Sequence, residues 1–103
     1  MALEIRPNCE CCDKDLPPES TEAMICTYEC TFCRNCVEEV LQNVCPNCGG
    51  GFENRPIRPK KAWRPGVSLA HQPASDRRRF LKHSKDELAA FVRDAKSILP
   101  DKR

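Results

Sequence analysis

Residues 26–48, CTYECTFCRNCVEEVLQNVCPNC, decide the fold of this chain, because six of its nine cysteines lie within them. The upstream stretch CECC, residues 9–12, supplies the other three. Eight of the nine thiols form four closely spaced pairs: Cys9 with Cys12, Cys26 with Cys30, Cys33 with Cys36, and Cys45 with Cys48. Structural zinc takes four protein ligands, and thiolates are among its preferred donors, so the spacing predicts two zinc ions.

Length and composition also favour a metal-built domain. The chain has 103 residues and only six aromatic side chains, four Phe, one Tyr and one Trp. The cysteine-bearing part, roughly residues 7–59, is near the size at which a hydrophobic core alone is marginal. One structural zinc contributes roughly 10–16 kcal/mol to folding. We therefore expect a small metal-stabilised α+β fold. Its expected parts are a zinc-binding domain at residues 1–59, a Pro-rich linker at 60–74, and a basic turn with a C-terminal helix at 75–103.

The chain's ends and its apolar pattern predict a cytoplasmic protein without a membrane partner. Residues 1–6, MALEIR, contain no apolar signal-peptide core, and the sequence has no apolar run of about 20 residues. An odd number of cysteines fits reduced, metal-bound thiols better than a disulfide framework. Eight thiolates and two zinc ions turn the formal net charge of +2 into −2, so the basic pI is no argument for a nucleic-acid partner.

Around the cysteines, the residue pattern predicts a hairpin followed by a helix. Residues 23–28 are β-prone, and Thr31 with Phe32 supplies a return strand, which places Cys26 and Cys30 on either side of a tight turn. After Cys36, apolar residues recur at helical spacing at Val37, Val40, Leu41 and Val44. Pro46 and the glycines after Cys48 predict a turn that directs backbone N–H groups toward sulfur.

The C-terminal part predicts an extended linker and one amphipathic helix. The linker is expected to lie along the zinc module through Phe52, Ile57 and Trp63. Ser84 and Glu87 form a capping box. The helix that they open has one apolar stripe and is expected to end at Pro100; the stripe consists of Leu88, Phe91, Val92, Ala95, Ile98 and Leu99. A helix this short needs a packing partner, which is its own zinc module, a second copy of the chain, or another protein.

Spacing alone leaves the assignment of cysteines to metals open. A sequential arrangement joins the 9/12 pair with the 26/30 pair, and the 33/36 pair with the 45/48 pair. An interleaved arrangement joins 9/12 with 33/36, and 26/30 with 45/48. The third arrangement, 26/30 with 33/36, wraps eleven residues around one ion and is strained. Whether Cys11 or Cys12 is the ligand beside Cys9 also stays open.

The order of the eight cysteines resembles the cross-brace of RING fingers. In this likeness Cys30 stands where most RING fingers have His, and the helix after Cys36 and Pro46 fall at the expected places. The resemblance implies a RING-like treble clef with two zinc ions. It assigns Cys9, Cys12, Cys33 and Cys36 to site 1, and Cys26, Cys30, Cys45 and Cys48 to site 2.

Three segments of the sequence are similar to a small bacterial cysteine-rich family known as domain of unknown function twelve seventy-two. These segments are RPNCECCDKDLPP, AMICTYECTFCRNC and CPNCGG. That likeness covers about residues 3–60 and implies a bacterial zinc-binding protein. It carries no established activity.

These features favour a zinc-binding structural or protein-interaction module that is not an enzyme, because an all-thiolate zinc site is closed. One alternative is a RING-type ubiquitin-like ligase adaptor, although Gly49 occupies the position where such ligases carry a basic residue. A second is a redox or zinc sensor that acts through Cys11. His71 and His83 are weak ligand candidates beside eight thiols.

A further alternative is nucleic-acid binding, which two basic clusters suggest. In the first, Lys60, Lys61 and Arg64 surround Trp63. The second consists of residues 77–79, Lys82 and Lys85. Another protein remains the expected partner, with self-association through the C-terminal helix as an option.

Overall fold

A small antiparallel sheet lies at the centre of the structure, a computed structural model that describes residues 2–103. Its strands are β1 (Ala23–Ile25), β2 (Thr31–Cys33) and β3 (Glu53–Asn54), in the order β2-β1-β3. β1 and β2 pair with Ala23 opposite Cys33 and Ile25 opposite Thr31. The predicted hairpin is therefore confirmed, whereas β3, two exposed polar residues, has no signature in the sequence.

The hairpin turn places Cys26 and Cys30 across from each other. The backbone N–H of Cys26 donates to the carbonyl of Cys30 at 3.2 Å, and that of Glu29 donates to the carbonyl of Cys26 at 3.1 Å. Glu29 has a φ of 66°, in the left-handed region. The turn is tight enough to direct both cysteine side chains toward one point.

The helix after β2 differs from the prediction in its winding. One α-helical turn, α1 (Arg34–Cys36), continues into a π-helical turn over Val37–Leu41. The wider π turn keeps Val37 and Leu41 on one buried side but displaces Val40, which is 42% exposed. The expected apolar stripe is thus wrong at Val40. Left-handed Gln42 and Asn43 end the helix.

Helix α2 (Lys85–Ala95) packs on the cysteine-rich module. Ser84 caps it, accepting the backbone N–H of Glu87 at 3.2 Å, as the capping box predicts. Leu88 and Val92 are buried in the same apolar cluster as the cysteines, and Ala95 packs against that cluster. Docking on the chain's own module is therefore observed.

The rest of the predicted stripe does not follow the helix into the core. Phe91, Ile98 and Leu99 are 42%, 42% and 67% exposed. α2 ends at Ala95, and a short 3-10 turn (Pro100–Lys102) follows. The expected helix up to Pro100 is too long because the chain leaves the α conformation before the proline.

Residues 75–82 form an irregular segment that runs beside the N-terminal arm. Backbone N–H groups of Ser75 and Leu81 donate to the carbonyls of Ile5 and Glu10, each at 2.9 Å. The Asn8 side chain donates to the carbonyl of Arg79 at 2.8 Å. These bonds fasten the C-terminal part to the first cysteine pair.

The segment expected to be an extended linker is a folded loop. The backbone N–H of Leu69 donates to the carbonyl of Pro59 at 2.9 Å and closes it. Phe52 is buried and packs edge-to-face on Phe32, with ring centroids 5.4 Å apart. Ile57 and Trp63, expected to lie along the module, are 52% and 72% exposed, so that expectation is wrong for both. None of the helices in residues 2–103 has the length and apolar character that a bilayer crossing requires.

Candidate metal centre

Four thiols converge at the first cluster, which consists of Cys9, Cys12, Cys33 and Cys36. Their sulfur atoms all lie within 4.8 Å of one another. The Sγ atoms of Cys12 and Cys33 are 3.8 Å apart. A zinc tetrahedron with Zn–S bonds of about 2.3 Å has sulfur–sulfur edges of ~3.8 Å. The donor set and its spacing therefore fit one tetrahedral metal ion.

The second cluster brings together Cys26, Cys45 and Cys48, whose sulfurs also lie within 4.8 Å of one another. The Cys30 thiol neighbours those of Cys45 and Cys26, which help to lower its pKa. It does not lie within the same distance of all three, and the Asn47 amide reaches it at 3.5 Å. Three sulfurs are thus gathered, and a fourth thiol adjoins them.

The two clusters interleave along the chain. The first combines the first and third cysteine pairs, and the second contains the fourth pair and part of the second. Strand β2 links them, because Cys30 directly precedes it and Cys33 ends it. Each cluster therefore brings together segments that are separated in the sequence, and neither is formed by two consecutive cysteine pairs.

Backbone N–H groups point at sulfur in three of the cysteine turns. The N–H of Cys12 lies 3.5 Å from Cys9 Sγ, that of Tyr28 lies 3.3 Å from Cys26 Sγ, and that of Gly50 lies 3.4 Å from Cys48 Sγ. Hydrogen bonds of this kind favour the charged thiolate over the thiol. They prepare these sulfurs to act as metal ligands.

Gly49 makes the last of these turns possible. It has a φ of +79°, a conformation in which a side chain is strained. Its N–H donates to the carbonyl of Cys45 at 2.7 Å, and the N–H of Cys45 donates to the carbonyl of Gly50 at 2.8 Å. The turn predicted from Pro46 and the glycines after Cys48 is therefore present.

Burial and hydrogen bonding between sulfurs raise the pKa of some cluster thiols and lower that of others. Burial raises the pKa of Cys9 and of Cys26 to about 11 and also raises the pKa of Cys36. The hydrogen bond with Cys30 raises the pKa of Cys45, and the same bond lowers the pKa of Cys30 to about 5. At neutral pH several of these thiols hold their protons, which a divalent cation must displace.

Cys12 and Cys48 are the exposed members of their clusters. Burial acts to raise the pKa of Cys12, but the Lys14 backbone N–H and the neighbouring thiols of Cys9, Cys36 and Cys33 outweigh it, and the pKa lies below its usual value. Each cluster is therefore open to solvent at one sulfur.

Cys11 lies outside both groups of sulfurs. It is a half-buried residue that packs against the core near Cys36. Burial raises its pKa, and a protonated thiol is a poor nucleophile. The two histidines also lie elsewhere: His71 bonds to Ser68 Oγ at 2.8 Å, and His83 approaches Glu87 at 3.6 Å.

A buried ion pair supports the first cysteine turn, and the sequence reasoning did not find it. Arg6 and Glu10 are 8% and 5% exposed. Glu10 Oε2 accepts Arg6 Nη1 at 3.0 Å and the backbone N–H of Thr31 at 2.7 Å. The positive charge of Arg6 also helps to lower the pKa of Cys30. The sequence feature that could have indicated this ion pair is Glu10, a carboxylate between Cys9 and Cys11.

The comparisons with known proteins bear on residues 2–58, which match the family described as protein of unknown function (DUF1272). An uncharacterised protein of Rhizobium meliloti (strain 1021) is 65% identical over 57 residues, which cover 55% of this chain and 68% of that protein. No solved structure matches the chain. The matched region contains all nine cysteines and excludes α2. On the extent of this match, the chain belongs to the DUF1272 family.

Proposed function

We propose that this protein is a non-catalytic, zinc-built protein-interaction module with a RING-like, cross-braced treble clef. Cys9, Cys12, Cys33 and Cys36 would hold one Zn²⁺, and Cys26, Cys30, Cys45 and Cys48 the other. The observation that carries the proposal is the interleaving of two sulfur clusters along the chain, the first of which contains a sulfur–sulfur distance of 3.8 Å, the edge of a zinc tetrahedron.

A structural role follows from the donor chemistry. Four thiolates fill the coordination of zinc and leave no position for a substrate or an activated water. Each ion would tie segments distant in sequence, and the free thiols fit a reducing compartment such as the cytoplasm. Zinc would supply the folding energy that a core of this size lacks.

The experiment for the metal sites is native mass spectrometry of the reduced, zinc-loaded chain, with two zinc ions per molecule expected. Replacing Cys33 with Ser should remove the ion at the first site. Replacing Cys30 with Ser should remove the ion at the second. The matched control is Cys11→Ser, which leaves both ions in place if Cys11 is not a ligand. Full zinc retention in both Cys33→Ser and Cys30→Ser would refute the assignment.

The partner surface that we propose is the exposed apolar part of the C-terminal segment, formed by Phe91, Ile98 and Leu99. Phe91 lies on α2, and Ile98 and Leu99 follow it closely, so binding requires little further ordering. A pull-down from the source cell with the wild-type chain and an Ile98→Ser/Leu99→Ser variant tests it. The captured protein, or a second copy of the chain seen by analytical ultracentrifugation, should be lost in the variant while zinc content stays the same.

A further inference from the structure

Residues 59–69 form a closed, structured loop, which we call the Trp63 loop. Leu69 N–H bonds to the Pro59 carbonyl at its base, 2.9 Å away. Near its tip, Val67 N–H bonds to the Arg64 carbonyl at 3.3 Å, and Gly66 has a φ of +79°. Pro65 followed by a positive-φ glycine is the pattern of a type II turn. The loop is therefore ordered by its own backbone.

Further hydrogen bonds from side chains hold the loop, and one of them connects its base to the N-terminal arm. Gln72 Nε2 donates to the carbonyl of Gly66 at 2.9 Å. Ser68 is 2% exposed, and its hydroxyl accepts the backbone N–H of Ala70 at 3.2 Å. Arg58 joins the carbonyls of Gln72 and Leu3, each at 2.6 Å. A compact surface loop with close ends and internal bonding is a common carrier of binding function.

This ordered loop presents the largest exposed aromatic side chain of the protein. Trp63 is 72% exposed. The Lys61 ammonium lies 4.4 Å from the ring centroid, over one face of the indole. At this level of exposure the opposite face is open to solvent. A flat, electron-rich surface beside a cation is a platform for stacking a nucleobase.

All charged side chains within the loop are positive. Lys60, Lys61 and Arg64 are all exposed, and residues 55–75 contain no Asp or Glu. None of the ion pairs formed among residues 2–103 involves these three side chains. Unpaired cations flanking a stacking ring match the phosphates on either side of an unpaired base.

We propose that the Trp63 loop binds single-stranded nucleic acid, with a base stacked on Trp63 and the phosphates held by Lys60, Lys61 and Arg64. A bilayer is the less suitable partner, because interfacial binding scales with the apolar area that is buried, and the loop exposes two large apolar side chains, Trp63 and Val67. This site is independent of the protein-binding surface proposed above, and zinc serves only to hold the scaffold.

The chain's single tryptophan makes the test direct. The zinc-loaded full chain is titrated with an oligothymidylate of about ten nucleotides. Stacking on Trp63 should quench its fluorescence, and three phosphate contacts should give a log–log salt slope of about −2. In an anisotropy assay with labelled oligonucleotide, Trp63→Ala should weaken binding about tenfold.

The matched control removes three charges elsewhere. A Lys60→Gln/Lys61→Gln/Arg64→Gln variant should abolish the salt-dependent binding, whereas an Arg93→Gln/Lys85→Gln/Lys96→Gln variant with the same net charge should largely retain it. Equal losses in the two variants, an unchanged Trp63 spectrum, or a response to anionic phosphatidylglycerol vesicles without one to the oligonucleotide would overturn the proposal. Zinc content, measured on every variant, shows that the scaffold is intact.

Discussion

At the residue scale, Arg55 shows how a buried charge organises the module. It is 3% exposed, and burial lowers the pKa of its guanidinium. Its Nη1 donates to the carbonyl of Arg6 at 2.9 Å, and its Nη2 donates to those of Leu16 at 3.2 Å and Pro17 at 2.9 Å. One planar side chain thus ties the N-terminal arm to the loop after the first cysteine pair.

We expect Arg55→Met to lower the free energy of unfolding of the zinc-loaded chain by about 3 kcal/mol, because three backbone carbonyls lose a charged donor and two of these hydrogen bonds are buried. Chemical denaturation at a fixed free zinc concentration measures this. Arg93→Met, on the exposed side of α2, is the control and should change stability by less than about 0.5 kcal/mol. Similar values for the two variants would contradict the role given to Arg55.

Gly49 and Gly66 share a φ of +79°, but only Gly49 belongs to the turn around Cys45 and Cys48. Substituting each glycine separates the effect of that turn from the effect of backbone strain. Gly49→Ala and Gly66→Ala should each cost about 1 kcal/mol of stability, since both force a side chain into the left-handed region. Only Gly49→Ala should also speed zinc transfer to a chromophoric chelator, because Gly49 holds the turn between Cys45 and Cys48. Equal transfer rates in both variants would show that the turn does not control the metal.

At the element scale, α2 is held by few side chains. Leu88 and Val92 are its buried residues, at 8% and 3% exposure, and the ring of Phe91, which is 42% exposed, lies near the Cys45–Cys48 turn. Burying an aliphatic side chain of this size contributes about 1.5–3 kcal/mol. The helix therefore depends on a small contact area together with its Ser84 cap.

Leu88→Ala should destabilise the chain by about 2–4 kcal/mol through lost burial and a cavity beneath α2. Leu99→Ala, at an apolar position that is 67% exposed, is the control and should shift stability by less than about 0.5 kcal/mol. Circular dichroism during urea unfolding measures both. If Leu88→Ala proved no more harmful than Leu99→Ala, α2 would not be docked in solution.

At the scale of the whole molecule, metal binding and proton binding compete. Without a cation, burial raises the pKa of Cys9 and Cys26 to about 11 and raises that of Cys36, and the hydrogen bond with Cys30 raises that of Cys45. These raised values stabilise the protonated, metal-free clusters below about pH 9, a contribution lost as the pH rises toward 11. Zinc requires the opposite state, the thiolate.

Zinc affinity should therefore rise with pH across the neutral range. Each cluster contains at least two thiols with a raised pKa, so each ion displaces at least two protons, and affinity should change by at least about 100-fold per pH unit. Chelator competition at pH 6.5, 7.0 and 7.5 measures the slope. An affinity independent of pH would mean that the cluster thiols are already ionised before the metal arrives.

Local pattern predicted much of the fold. The β-prone runs on either side of residues 26–30 predicted the hairpin, and Ser84 with Glu87 predicted the start of α2. Each depends on residues within a few positions of one another, where backbone geometry and capping act. The predicted burial of Val40 and the predicted end of α2 were wrong, because the spacing of apolar residues does not distinguish a π turn from an α turn or show an early helix end.

Contacts between residues far apart in the sequence could not be predicted from local pattern. The pairing of β3 with β1, the ion pair of Arg6 and Glu10, and the closure of the Trp63 loop each depend on where another segment lies. In the sequence, Arg55 cannot be distinguished from a surface arginine, because the carbonyl groups that it binds belong to residues 6, 16 and 17.

The sequence by itself determined that this chain is cysteine-rich, with four thiol pairs at metal-ligand spacing, because spacing within a pair is a property of the local backbone. Only the tertiary structure decided that those pairs interleave into two clusters, and that residues 59–69 close into a loop displaying Trp63. The physical reason is that sulfur–sulfur distances and loop closure depend on the path of the chain between the pairs, which local propensity does not fix.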